Sequence, residues 1–176
     1  MGNLGKMIEA DPDAEVHTGQ TEFTRDYFKG RESPLKLVVG GRVVVSSEVP
    51  PEDIEGGLAY LAITGDLICP TDALSAVRSK LRYLGGKTVV LEPGDEVVLS
   101  NFTLDETFLR TLSDESTMVV VGNLSLVDVL PNDLLAQKLR RVRVTGNILF
   151  HEENSQTVLE RTSDRPGAER ITTIPA

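Results

Sequence analysis

The feature that most constrains this chain is a recurrence. A short apolar run reaches a glycine, then Asp or Asn, then a second short apolar run. The clearest copies are Leu61-Ala62-Ile63-Thr64-Gly65-Asp66-Leu67-Ile68 and Val142-Arg143-Val144-Thr145-Gly146-Asn147-Ile148-Leu149. A third spans Met118 to Leu124, and a weaker fourth spans Leu37 to Val44 with Gly40-Gly41 at its centre. A fifth, Val89 to Asp95, carries two extra residues before its glycine. Aligned on Val39, Ile63, Leu91, Val120 and Val144, the copies lie 24, 28, 29 and 24 residues apart. Such intervals fit one supersecondary unit per repeat. A unit this short cannot bury its apolar side alone, so the copies must stack.

Between the copies come helix-start signals: Pro51-Glu52-Asp53-Ile54, Pro70-Thr71-Asp72-Ala73-Leu74, Thr103-Leu104-Asp105-Glu106 and Pro131-Asn132-Asp133-Leu134-Leu135. Proline loses nothing in the first helical turn, where its missing N–H has no partner anyway, and the acids face the positive end of the helix dipole. Over Thr71–Leu84, the residues Leu74, Val77, Leu81 and Leu84 recur at spacings of three and four, which predicts one helix with one apolar stripe. Period-two alternation sorts the strands into faces. Leu61, Ile63, Met118, Val120, Val142 and Val144 point inward; Tyr60, Ala62, Thr117, Val119, Arg141 and Arg143 point outward.

Composition narrows the function. The 18 basic and 27 acidic side chains give a formal net charge of -9. That argues against nucleic-acid binding, which needs basic surface to release counterions. It also argues against docking on an anionic membrane. Cys69 is the single cysteine, which excludes an intramolecular disulfide and fits a cytoplasmic protein. No apolar run approaches the roughly 20 residues needed to span a bilayer. Met1-Gly2 meets the first requirement for myristoylation, but Lys6 stands where Ser or Thr is required.

The repeats resemble those of the leucine-rich-repeat family, L-x-x-L-x-L-x-x-N-x-L. The segment Leu139 to Leu149 fits every fixed position, with Val in place of two leucines. The segment Leu58 to Ile68 fits with Asp66 in the Asn slot. The copy over Met118 to Leu124 keeps Asn123, whereas the copy over Leu37 to Val44 has Arg42 there. The resemblance implies an α/β fold: a short right-handed strand-helix solenoid of about five repeats with one parallel sheet, binding other proteins on its exposed sheet. In that family the Asn bridges the backbones of neighbouring coils, a role the resemblance extends to Asn123 and Asn147. The expected organisation is an N-terminal cap or partly flexible segment over 1–34, with Phe23, Tyr27 and Phe28 as capping rings, a solenoid over 35–160, and a flexible tail over 161–176.

Catalytic, metal and cofactor sites are expected to be absent. His151 beside Glu152-Glu153 reads as a polar loop, and His17 stands apart from any nucleophile. Cys69 sits at a repeat position shared with Val45, Leu126 and Phe150 and reads as a buried structural thiol. The pairs Asp105-Glu106, Asp114-Glu115 and Glu152-Glu153 are adjacent in sequence, so their carboxylates diverge rather than face one another across a substrate. Neither a Walker loop nor a dinucleotide fingerprint is present.

What remains is a row of outward residues with basic ends: Tyr60, Thr88, Val90, Thr117, Val119, Arg141 and Arg143, with Lys36 at the far end. Exposed Val and Tyr flanked by Arg is a protein-binding composition. The expected function is a non-enzymatic protein-binding scaffold. The alternatives are a self-assembling structural protein of bactofilin-like type and, with less weight, a carbohydrate-active parallel β-helix, which the 5% aromatic content disfavours.

Overall fold

The structure, a computed structural model, describes residues 11–162 and 171–175. The Met1-Gly2 and Lys6 reading and the expected tail over 163–170 lie outside the described residues. The protein is mixed α/β, and its strand pairings are parallel. It divides into two compact units, 1–93 and 94–176.

In the N-terminal unit the order is β1 (Glu15–Phe23), β2 (Leu35–Val45), α1 (Pro51–Gly57), β3 (Leu58–Ile63), β4 (Leu67–Pro70), α2 (Leu74–Lys80), β5 (Leu81–Leu84) and β6 (Thr88–Leu91). These strands form one six-stranded sheet, β5-β3-β2-β4-β6, with β1 paired along β2. Strand β2 runs through Gly40-Gly41 without a break, so its first half pairs with β3 and its second with β4. Val39 lies opposite Ile63, as the repeat alignment requires. Ile63, however, lies opposite Leu84 and not Leu91, so the second interval is 21 residues. The turn of that copy is Gly85-Gly86, and β6 follows it to pair with β4. Pro93-Gly94 belongs to a separate turn, in which Gly94 adopts φ 88.

The helix expected over Thr71–Leu84 ends at Lys80. Leu81 is extended and opens β5. A spacing of three between Leu81 and Leu84 suits a helix, but here a register shift in the β3–β5 pairing accommodates it. Helix α1 starts as predicted, with Pro51 in its first turn, Glu52 and Asp53 behind it and Ile54 buried. The core gathers the inward residues Leu37, Val39, Leu61 and Ile63 with Val45, Leu67, Cys69 and Val77. Phe23, Tyr27 and Phe28 stack with ring centroids 4.8 to 5.2 Å apart and pack against this core.

The glycines recur because the backbones of successive turns nearly touch. The Gly65 N–H donates to the Gly41 carbonyl at 2.8 Å, and Gly86 N–H donates to Gly65 at 3.0 Å. A Cβ on Gly65 would lie 2.5 Å from the Gly41 carbonyl oxygen, and one on Gly41 would overlap the Gly19 carbonyl. Only glycine fits such an approach.

In the C-terminal unit the order is β7 (Glu96–Val98), β8 (Phe102–Thr103), α3 (Glu106–Thr111), β9 (Ser116–Val120), β10 (Leu124–Ser125), α4 (Asn132–Lys138), β11 (Leu139–Val144), β12 (Ile148–His151), a 3-10 turn (Glu152–Asn154), α5 (Ser155–Arg161) and β13 (Ile171–Ile174). Two sheets form here, β11-β9-β7 and β13-β12-β10-β8. The hydrogen bonding therefore runs in three sheets rather than the one expected. Ile171–Ile174, expected in the flexible tail, pair with β12. The core joins Met118, Val120, Val142 and Val144 to Leu124, Ile148 and Phe150. Asp105 caps α3 by accepting the Phe108 N–H at 2.7 Å.

Asparagine governs the turns of this unit. The Asn101 side-chain oxygen accepts the Asn123 N–H at 2.9 Å, and that of Asn123 accepts the Asn147 N–H at 2.8 Å. Asp66 in the N-terminal unit does the same for Lys87 N–H, at 2.8 Å. Asn154 is fully buried and satisfied: it accepts from Leu130 N and donates to Leu130 O and Asn132 Oδ1. This pins the loop between β10 and α4 onto the 3-10 turn.

Candidate partner-binding face

Alternation assigns the strand faces correctly, but the outward face is less open than predicted. In the N-terminal unit Tyr60 is 4% exposed and Ala62 1%. They form an apolar patch with Val38, covered by Ala14 and Tyr83. Tyr60 is thus a buried residue and not a free contact. Thr88 and Val90 are half-buried and lie on β6, which pairs with β4. They therefore sit past the turn and not in the row of Tyr60. The residues that do share that neighbourhood are Lys36, opposite Tyr60 on β2, and Arg82 and Tyr83 on β5. The Arg82 guanidinium lies 4.0 Å above the Tyr60 ring, close enough for a cation–π contact. Gly85-Gly86 followed by Thr88-Val89-Val90-Leu91 was the signal for this register, since it repeats the glycine-then-strand pattern.

Residues 11–14 supply the part of the cover that comes from outside the sheet, beside Tyr83. Asp11 starts a β-turn with Pro12 next, closed by the Ala14 N–H donating to the Asp11 carbonyl at 3.1 Å. Lys36 Nζ donates to the Asp11 carboxylate at 3.0 Å. Hydrogen bonds from Lys36 and then Tyr60 hold the Asp11 carboxyl below its ordinary range, and the bond to Asp11 raises Lys36. Burial, then the Asp11 charge, raises the Tyr60 phenol.

In the C-terminal unit Thr117 is 6% and Val119 1% exposed, so neither is an open contact. Both are on the central strand of β11-β9-β7, with Val97 and Arg143 in register on either side of Val119. Arg140 is the extra residue where the β9–β11 register shifts, and its guanidinium donates to the Thr117 hydroxyl at 3.0 Å. Arg141 is exposed; Arg143 is half-buried and lies 3.7 Å from the Asp95 carboxylate. Val97, 37% exposed, shares the row. Of the predicted face, Arg141 and the outer part of Arg143 remain exposed; Val97, which was not part of that prediction, lies exposed beside them.

The other singled-out groups have structural partners. Cys69 is buried in the N-terminal core, which pushes its thiol up to about 11. His151 Nε2–H donates to the Val127 carbonyl at 2.5 Å, and Nδ1 is buried without a partner. Asp114 receives Lys138 at 2.7 Å and Gln137 at 3.0 Å, and these bonds, Lys138 first, lower its pKa. Glu106 pairs with Arg110 on α3. Among the described residues no three His, Cys, Asp or Glu side chains gather as a metal site. No helix there is long and apolar enough to cross a membrane.

No protein-family model matches the chain, nor does any curated protein or solved structure.

Proposed function

We propose that the chain is a short strand-helix solenoid of leucine-rich-repeat-like type that serves as a non-enzymatic, cytoplasmic protein-binding scaffold. The observation that carries this reading is the outward row of the C-terminal sheet. There Arg141 is exposed and Arg143 partly buried beside the exposed Val97, on a chain whose overall charge is acidic. Arginine next to exposed aliphatic surface is the composition of an interface core with a charged rim. The partner is an acidic protein surface, and no cofactor takes part.

The test is capture by the wild type and by Arg141→Glu as parallel baits. Arg141→Glu leaves the Arg143–Asp95 pair intact, whereas Arg143→Glu would set a carboxylate against Asp95 and disturb folding. A protein retained by the wild type and lost from Arg141→Glu, with both baits equally folded by circular dichroism, supports the reading. Equal capture by both removes the arginine row from it.

Self-assembly is the second reading. Among the described residues β1 and β13 each pair on one side only, and such edges template further strands. Light scattering that shows a monomer at high concentration would sink it.

A further inference from the structure

We infer that the outer face of β2-β3-β5 is a docking face for an acidic turn of the form Asp-Pro-x-Ala, and that the chain's own Asp11–Ala14 turn occupies it as a built-in competitor. The inference uses the N-terminal unit alone and is independent of Arg141.

The face has the parts of a peptide site. Its floor is apolar: Val38, Tyr60 and Ala62, with Tyr83 at the side. One wall is cationic, with Lys36 reaching the carboxylate and Arg82 stacked on Tyr60. The turn fills it in a complementary way. Its first residue places a carboxylate on Lys36, and its fourth sets a methyl on the floor. Proline at the second position fixes φ and prepares the turn before it docks. The occupant is thus defined by the contacts the face makes now: an acid, a proline and a small apolar residue in one turn.

The contact is also small enough to exchange. A partly exposed ion pair to Lys36, a hydrogen bond from Tyr60 and one methyl make a weak bond, and tethering alone supplies an effective concentration in the millimolar range. An outside turn therefore competes poorly until the internal one is released, and then gains the face.

The test compares the wild type with Asp11→Lys/Ala14→Lys, using the acetylated peptide Asp-Pro-Asp-Ala-Glu-Val as probe. Binding is followed by NMR shifts of the Tyr60 and Tyr83 rings. The expected result is saturable binding to the released variant and at least about tenfold weaker binding to the wild type, because the tethered turn competes. Adding Lys36→Glu should abolish that binding, and a peptide beginning with Lys should restore it. In parallel, Tyr60 should resist nitration in the wild type and react in the released variant. Equal peptide binding to both proteins, no charge-swap rescue, or a Tyr60 that stays unreactive after release would overturn the inference. Ala14→Lys alone, which keeps the Asp11–Lys36 bond, serves as the second variant if the double one fails to fold.

Discussion

In the N-terminal unit a turn is closed by glycine lying on glycine: Gly65 bonds to Gly41, and Gly86 to Gly65. In the C-terminal unit side chains carry more of the closure: Asn101 holds Asn123 and Asn123 holds Asn147, beside one glycine bond from Gly146 N–H to the Gly122 carbonyl. The two devices solve one problem, the pairing of polar backbone groups where the chain bends between two short strands. They differ in what they demand. The glycine device needs empty space where a Cβ would be, so its tolerance is steric. The asparagine device needs an acceptor at a fixed distance, so its tolerance is chemical. Gly146 carries both demands, since a Cβ there would meet the Gly122 carbonyl and the Asn123 amide oxygen.

The sharpest way to break this comparison is Gly41→Ala. The added methyl overlaps the Gly19 carbonyl, which is β1 backbone paired with β2 and cannot swing aside. The expected cost is about 4 kcal/mol, at the large end for one substitution, read as a fall in urea midpoint at unchanged slope. Cys69, buried in the same unit, gives a local readout: its thiol should react with a disulfide reagent far faster in this variant. A cost under about 1 kcal/mol would mean that the turns can spread, and that glycine recurs for another reason.

Asn123→Ala is the matching change in the other unit. It deletes the acceptor for the Asn147 N–H and leaves that donor without its partner. A loss of about 0.5 to 1.5 kcal/mol is expected, because the exposed donor can turn to water. Asp66→Ala should cost a similar amount through Lys87 N–H, although its neighbours are glycines. If Asp66 proves silent while Asn123 does not, the glycine stack alone closes the N-terminal turns.

These contrasts also show what the sequence could reveal. The Gly-Asp and Gly-Asn turns, the inward rows and the starts of α1, α3 and α4 were legible because each depends on local chemistry: a missing Cβ, a pleat of period two, an acid at the helix N-terminus. The start read at Pro70 was misplaced: Pro70 ends β4, and α2 opens at Leu74 with no acid in its first turn. The end of α2 was not, because Leu81 and Leu84 satisfy helical spacing and become strand only through pairing with β3. That one error moved Thr88 and Val90 into the wrong row. The closed state of Tyr60 was hidden for a different reason. Alternation gives the direction of a side chain but not what lies over it, and the cover comes from Asp11–Ala14, far away in sequence. Asn101 was missed because Leu99-Ser100-Asn101 has no glycine to mark it.

Helix α1 offers a smaller contrast between adjacent glycines. A Cβ on Gly56 meets nothing within 4 Å, whereas one on Gly57 would strike the Phe28 ring at 2.5 Å. Gly56→Ala should therefore stabilise the protein by about 0.5 to 1 kcal/mol, because alanine loses less backbone freedom in a helix. Gly57→Ala should destabilise by displacing a ring of the capping cluster. Melting temperatures that move in opposite directions would tie that cluster to α1; movement in the same direction would separate them.

The smallest effect concerns two lysine-bound carboxylates, one in each unit. Asp11 and Asp114 both titrate below the ordinary carboxylate range, each chiefly through a hydrogen bond from lysine. A lowered pKa contributes stability that is present above the unfolded value, near 3.9, and is lost as pH falls through the folded one. Neither pair therefore produces pH dependence near neutrality; both act only in the acid range. Lys138→Met should return the Asp114 midpoint toward the ordinary value in a carbon-detected carboxyl titration, and leave Asp11 where it was. Lys36→Met should do the reverse and also let Tyr60 be nitrated, because Asp11 holds a cover in place and Asp114 does not. If Lys36→Met shifts Asp11 but leaves Tyr60 protected, the two bridges are equivalent surface pairs, and the contrast between the units reduces to their turns.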